Sequence, residues 1–435
     1  MKILLGPAHE LHDGVHGSLL AVPPPGTTYL QGPYTVRFRP DHDASPSFSP
    51  LHDPAVEEWV RFDDVPSDVD VVHSSRLPVQ TPLPWVVDAD CLLLPLQAGL
   101  FFTLGAASRG APLVPDPRAV VRREAAMAAR YADGRCARIL FRTHYARGVF
   151  LDHLAGRGHQ PETIEKLSAK CDVVYPAVPA SPVSTPVERS VSVLYMGRSS
   201  QDKGAQVAAE VFGRLRARHG ARVRLVFVGH CPDGVTDRLA AAGAERMPLL
   251  SRPAYLEQLR RADVFLSPTS FESFGMGLVE AAAAGLAIVC SSGPGMEHIG
   301  ELFASGENSL FVSNTGPVAQ RVAGFTSAVS ALIDNESLRR SLSTNNYALT
   351  RHGRLSLQQR DERLRAVYAH AARLGVQAVG SHATAVEGIP RDGRRITDWS
   401  EDVCRWAGQH CTALIGGGRV VVRAGADAHR LGAGE

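Results

Sequence analysis

Lysine is almost missing from the 435 residues. Lys2, Lys166, Lys170 and Lys203 are the only four among 46 basic residues, and the rest are arginine. Together with the abundance of alanine, this is the usage of a G+C-rich genome, and it makes a lysine at a special position stand out. Cysteine is sparse and scattered: Cys91, Cys136, Cys171, Cys231, Cys290, Cys404 and Cys411, odd in number and without a C-x-x-C pair. That excludes a disulfide scaffold and a zinc module, and it fits a reducing cytoplasm. Net charge is also nearly absent, 46 basic against 44 acidic residues, which speaks against a general nucleic-acid binder. The longest apolar stretch, residues 91–107, is interrupted by Pro95, Gln97 and Gly99. It is shorter than the roughly 20 residues a membrane span needs, so it reads as a buried loop and helix. The first residues, Met1-Lys2-Ile3-Leu4-Leu5-Gly6, turn polar too soon for a signal peptide. A soluble, cytoplasmic protein with no integral membrane segment is expected.

The chain does contain enough apolar surface, 44% of residues, to fill two or three cores. Short apolar runs alternate with helix-like stretches, the pattern of α/β domains. In the first part, strands are expected at 2–5, 69–73, 85–87, 138–141 and 173–175, with helices at 118–132 and 146–154. Residues 26–62, rich in Pro, Asp and Ser, read as a long irregular insertion with short strands. The proline-studded stretch from Tyr175 to Pro186 breaks regular structure and marks a linker. A cleaner series then restarts: strands at 191–196, 222–228, 264–267 and 287–290, helices at 203–219, 254–261 and 275–284, and a closing helix at 357–374. Continuous runs such as Val264-Phe265-Leu266 suit strands of a parallel sheet covered on both faces. The domain reading is 1–186 and 187–355, both Rossmann-like, then a helix at 356–374 crossing back and an extension at 375–435. That extension is expected to hold a helix at 399–413 and a strand at 420–422.

In open parallel sheets, ligands bind beyond the carboxyl ends of the strands. After the strand at 191–196 comes Gly197-Arg198-Ser199-Ser200-Gln201-Asp202-Lys203-Gly204. A glycine turn, two cations and a helix N-terminus make an anion site sized for a diphosphate. After the strand at 264–267 come Glu272, Phe274, Gly275, Met276, Gly277 and Glu280. The two glutamates lie eight residues apart, just over two turns at about 3.6 residues each, and so fall on nearly one side. A carboxylate on the inward face of a helix carrying Leu278, Val279 and a run of alanines needs a partner, and sugar or ribose hydroxyls qualify.

The stretch from Ala262 to Ala281 resembles the E-x7-E signature of retaining GT-B glycosyltransferases, and most of all glycosyltransferase family four. Further matches follow the family's order: Met196–Gly204, Leu225-Val226-Phe227-Val228-Gly229, Gly293-Pro294-Gly295-Met296-Glu297-His298-Ile299, Gly306-Glu307-Asn308-Ser309-Leu310-Phe311-Val312 and Leu364-Arg365-Ala366-Val367-Tyr368. The resemblance covers residues 190–374 well and the first domain loosely. It implies two Rossmann-like α/β domains facing across a cleft, with a nucleoside-diphosphate sugar, by analogy a UDP-sugar, bound by the second. By the same resemblance Gly197, Arg198 and Lys203 hold the diphosphate, Glu280 the ribose and Glu272 the sugar ring. Phe274, Gly275 and Met276 offer backbone amides, and Met247 and Leu249 lie against the base. Arg198, Lys203 and Glu272 are then the catalytic set, retaining and without a metal; the nucleotide sugar is a co-substrate and no cofactor is implied.

The first domain departs from the family pattern. Its opening turn, Gly6-Pro7-Ala8-His9-Glu10-Leu11-His12-Asp13-Gly14-Val15-His16-Gly17, lacks the family's glycine pair. Its histidines have no metal-ligand spacing. Asp90 stands where many relatives carry a His. The acceptor-side candidates are Gly14, His16, His73, Asp90 and His144. Asp88-Ala89-Asp90 forms a D-x-D, but so do Asp41-His42-Asp43 and Asp68-Val69-Asp70, so the match carries no weight. The acids Glu10, Asp13, Asp88 and Asp90 suggest a small cationic acceptor, such as an aminoglycoside precursor in antibiotic biosynthesis. Alternatives are a cell-envelope lipid or polysaccharide glycosyltransferase, and an inactive nucleotide-sugar-binding protein.

Overall fold

The computed structural model describes residues 1–8, 11–40, 56–62, 65–89, 117–156, 159–180, 190–197, 203–231, 234–270, 272, 274–380, 412–416 and 419–423. The expected loop and helix at 91–107 lies outside them, as does most of the helix expected at 399–413. The chain forms two units: Met1–Val174 with Asp361–Glu435, and Tyr175–Arg360.

Unit 1 contains β1 (Lys2–Gly6), α1 (His16–Ala21), β2 (Thr28–Leu30), β3 (Tyr34–Pro40), β4 (Val56–Phe62), β5 (Val71–Ser74) and β6 (Trp85–Ala89). Then come α2 (Pro117–Ala132), β7 (Cys136–Phe141), α3 (His144–Gly156), α4 (Pro161–Lys170) and β8 (Cys171–Val173). Its parallel sheet runs β2-β1-β5-β6-β7-β8. The insertion at 26–62 holds an antiparallel β3–β4 hairpin with Val36 opposite Val60.

Unit 2 contains β9 (Val191–Gly197), α5 (Ala205–His219), β10 (Val223–Gly229), α6 (Val235–Ala241), β11 (Glu245–Met247), α7 (Arg252–Arg260), β12 (Val264–Ser267), α8 (Met276–Ala283) and β13 (Ala287–Ser292). The series ends with α9 (Ile299–Leu302), β14 (Ser309–Ser313), α10 (Val318–Asp334) and α11 (Glu336–Arg351). Its parallel sheet runs β11-β10-β9-β12-β13-β14. From β9 the chain lays strands first towards one edge, then, starting at β12, towards the other. The strand order therefore reverses between β9 and β12, the position beyond whose carboxyl ends open parallel sheets bind their ligands. Paired residues on neighbouring strands lock the register: Tyr195 and Phe227 face each other and stack with ring centroids 4.6 Å apart.

The last long helix, α12 (Leu357–Gly380), begins in unit 2 and continues in unit 1. Its residues Leu364, Val367, Tyr368 and Ala371 pack on Ile3, Val71, Val86 and Leu140. Their i, i+3, i+4, i+7 spacing is that of one helical face. The helix runs to Gly380, past the end expected at residue 374. A Cβ at Gly375 would lie 3.1 Å from the Pro84 ring, so this glycine gives a close helix-to-loop approach. In the extension, β15 (Thr412–Gly416) pairs antiparallel with β16 (Arg419–Arg423). Residues 412 and 413 are thus strand rather than the end of a helix.

Candidate active site

The loops after β9 and β12 are joined through glycines. Gly204 has φ +72°, and a Cβ there would lie 2.3 Å from the Pro268 carbonyl oxygen. Gly229, at the end of β10, has φ +136°, and a Cβ there would lie 2.0 Å from the Gly197 carbonyl oxygen. No side chain fits at either contact, so three strand ends are drawn together by backbone alone. The loop after β12 is tied in turn to that after β13. The backbone N–H of Glu272 donates to the Gly295 carbonyl at 3.3 Å, and the Asn314 amide donates to the Ser270 carbonyl at 3.2 Å and the Pro294 carbonyl at 2.6 Å.

On this frame Lys203 and Glu272 meet. The Lys203 ammonium donates to both carboxylate oxygens, with Oε2 at 3.0 Å. The two residues follow the two strands between which the order reverses. Gly204 caps α5 and Gly275 (φ +93°) caps α8, both without a side-chain acceptor for the first-turn N–H groups. Two helix N-termini and a lysine thus supply positive potential at the strand ends. Phe274 and Met276 are buried. Met247 ends β11, and Leu249 beyond it is 49% exposed. Arg198 lies outside the described residues.

Glu280 is 5% exposed on a helix that is otherwise apolar. Its partners are protein groups that sequence reasoning missed. Arg252 Nη1 lies 2.6 Å from Oε1, and the Tyr255 hydroxyl donates to Oε2. The inward glutamate signalled that a partner was needed, but nothing in the sequence singled out Arg252, which opens the helix preceding β12. Near Glu272, burial lowers the pKa of His298, opposed by the charges of Glu272, Glu297 and Glu301.

In unit 1 the structure brings His16 and His73 together on Asp88. The His12 N–H donates to His16 Nδ1 at 2.7 Å, so His16 carries its proton on Nε2 and donates it to Asp88 Oδ2 at 2.8 Å. His73 Nε2 donates to Asp88 Oδ1 at 3.1 Å. Its Nδ1 lies 2.7 Å from the Tyr368 hydroxyl, itself 2.9 Å from that of Tyr29. Both histidines are 1% exposed, and their ring nitrogens are engaged within the unit. Burial would raise the Asp88 pKa, but the charge of His73 and hydrogen bonds from His16 and His73 hold it well below the usual carboxylate range. Asp88 is therefore not available as a free carboxylate for a cationic acceptor. Gly14 is buried, with its N–H on His12 Nδ1 at 3.0 Å. His144 is exposed at the start of α3, and Asp90 lies outside the described residues. Among the described residues no group of three or more His, Cys, Asp or Glu side chains has metal-binding geometry, and no helix is long and apolar enough to cross a membrane.

Residues 190–335 match the family described as "Glycosyl transferases group 1". The matched stretch lies wholly within unit 2, and each of the two units is built on a parallel, Rossmann-like α/β sheet. Among curated proteins, a glycogen synthase of Mycobacterium tuberculosis is 30% identical over 148 residues, 33% of this chain and 34% of that protein. A phosphatidyl-myo-inositol mannosyltransferase of the same species is 31% identical over 170 residues, 37% of this chain and 43% of that protein. The similarity thus spans less than half the length of these relatives. Among solved structures, the pneumococcal O-GlcNAc transferase GtfA in complex with UDP and GlcNAc has a TM-score of 0.50 at 10% identity, over 69% of this chain and 56% of that one. This is a likeness of fold.

Proposed function

We propose that the protein transfers a sugar from a nucleoside-diphosphate sugar, a UDP-sugar first among the candidates, to a hydroxyl-bearing small acceptor. The observation that carries this reading is the meeting of Lys203 and Glu272 where the strand order of unit 2 reverses. Lys203 and the first-turn amides of α5 and α8 neutralise the departing diphosphate, with Arg198 as a second cation; this is electrostatic stabilisation without a metal. Glu272 accepts from the sugar hydroxyls, Glu280 from the ribose, and Met247 and Leu249 lie along the base. The bond between the anomeric carbon and the phosphate oxygen breaks, and its electron pair leaves on the diphosphate. The acceptor oxygen attacks from the same face, giving retention, and its proton passes to the departing phosphate oxygen. The acceptor lies at the carboxyl edge of the first sheet, where His144 is exposed.

The experiment is a thermal-shift screen with UDP-, GDP- and ADP-sugars, followed by product mass with candidate acceptors. Donor-dependent stabilisation with nucleotide release supports the reading. Stabilisation without any turnover makes the chain a binding protein, and the absence of both stabilisation and turnover sinks the donor site. A second reading, transfer to an envelope lipid or polysaccharide, is favoured by the names of the two mycobacterial relatives. Labelled sugar moving into a lipid or polymer fraction, and not onto small acceptors, selects it.

A further inference from the structure

We infer that Arg252 is a positioning residue: together with Tyr255 it fixes the plane of the Glu280 carboxylate and so gives the donor site its discrimination for ribose. The inference rests on the donor reading above and goes beyond it to residues that reading does not use. Glu280 is 5% exposed, and a carboxylate so placed needs both a countercharge and hydrogen bonds. Arg252 and Tyr255 stand at i and i+3 on α7, hence on one face. The guanidinium lies 5.2 Å from the Tyr255 ring centroid. They hold different oxygens, Arg252 Nη1 on Oε1 at 2.6 Å and the Tyr255 hydroxyl on Oε2. A carboxylate anchored at both oxygens cannot swing. It offers about four acceptor positions, and two remain for the neighbouring hydroxyls of a ribose. A glutamate without these anchors would still carry charge but would meet the two hydroxyls in no fixed plane.

The test is calorimetric titration of the full chain with UDP, GDP and ADP, each against its 2′-deoxy counterpart, in the wild type and in Arg252→Met, Arg252→Lys and Tyr255→Phe. The wild type should favour the ribonucleotide by about 10–100-fold, the worth of a hydrogen bond to a charged group. Arg252→Met should narrow that preference to about threefold or less, and Arg252→Lys, which restores the charge, should recover part of it. Equal weakening of both nucleotides with the preference intact overturns the inference, because Arg252 would then act on the fold or on the nucleotide directly. If Arg252→Met does not fold, Tyr255→Phe decides by removing one hydroxyl: a preference reduced several-fold supports the inference, and an unchanged one overturns it. Wild-type binding without ribose preference overturns the inference and leaves the donor reading standing. A wild type that binds no nucleoside diphosphate removes both.

Discussion

At Lys203 the ammonium already rests on the Glu272 carboxylate, so under the proposed function a diphosphate would have to share or replace that partner. Lys203→Ala should lower donor turnover by about a hundredfold or more, the effect of losing a charge-assisted contact worth about 2–4 kcal/mol, as read from kcat/KM. In unit 1 the five side chains Tyr29, Tyr368, His73, Asp88 and His16 form one hydrogen-bonded chain. Tyr368→Phe removes the hydroxyl that links Tyr29 to His73 and should destabilise the fold by about 1–3 kcal/mol in denaturant titration. Asp88 has its pKa depressed on folding. Its stabilisation is present above the unfolded carboxyl value of about 3.9 and is lost as pH falls below it towards the folded value. Thermal midpoints should therefore drop steeply below about pH 4, and Asp88→Asn should flatten that drop while lowering stability at neutral pH. His298 acts in the same direction at higher pH. Burial lowers its folded pKa, so the unfolded chain takes up the proton first and stability declines as pH falls below about 6.5.

At the level of elements, the loops after β9 and β12 depend on Gly204. Gly204→Ala forces a left-handed residue to carry a Cβ 2.3 Å from the Pro268 carbonyl oxygen, beyond the roughly 1–2 kcal/mol of backbone strain alone. It should weaken nucleotide binding and lower the melting temperature of unit 2 together, as seen by calorimetry with and without UDP. The central strands were readable because they are continuous apolar runs: β12 falls on the expected residues 264–267. The edge strand β11, Glu245-Arg246-Met247, has no such run and exists by its pairing with β10. Likewise β14 was not anticipated, β2 falls within the insertion at 26–62 where short strands were expected without positions, and the strand expected at 173–175 lies at Cys171–Val173. Of the site, the loops bearing Lys203, Glu272 and Glu280 were legible because glycine, charge and strand end coincide within a few residues. Arg252, 28 positions before Glu280 in the sequence, had no local signal of its own. Asp88 was hidden by a cheap D-x-D match, although it shares a sheet face with Val86 two residues before it.

For the whole molecule, each unit has its own buried apolar cluster, and heating should reveal two transitions in calorimetry. A nucleoside diphosphate at a hundred times its Kd should raise only the transition of unit 2, by a stabilisation of about 2.7 kcal/mol; a shift confined to the other transition would misplace the donor site. Unit 1 is discontinuous, because the helix that supplies Leu364, Val367, Tyr368 and Ala371 to its core comes after all of unit 2. A ribosome adding roughly 5–20 residues per second therefore releases the first sheet long before its covering helix. The nascent amino-terminal half waits with an apolar face uncovered while the later half is made, and a translational pause within residues 175–360 should raise its demand for chaperones.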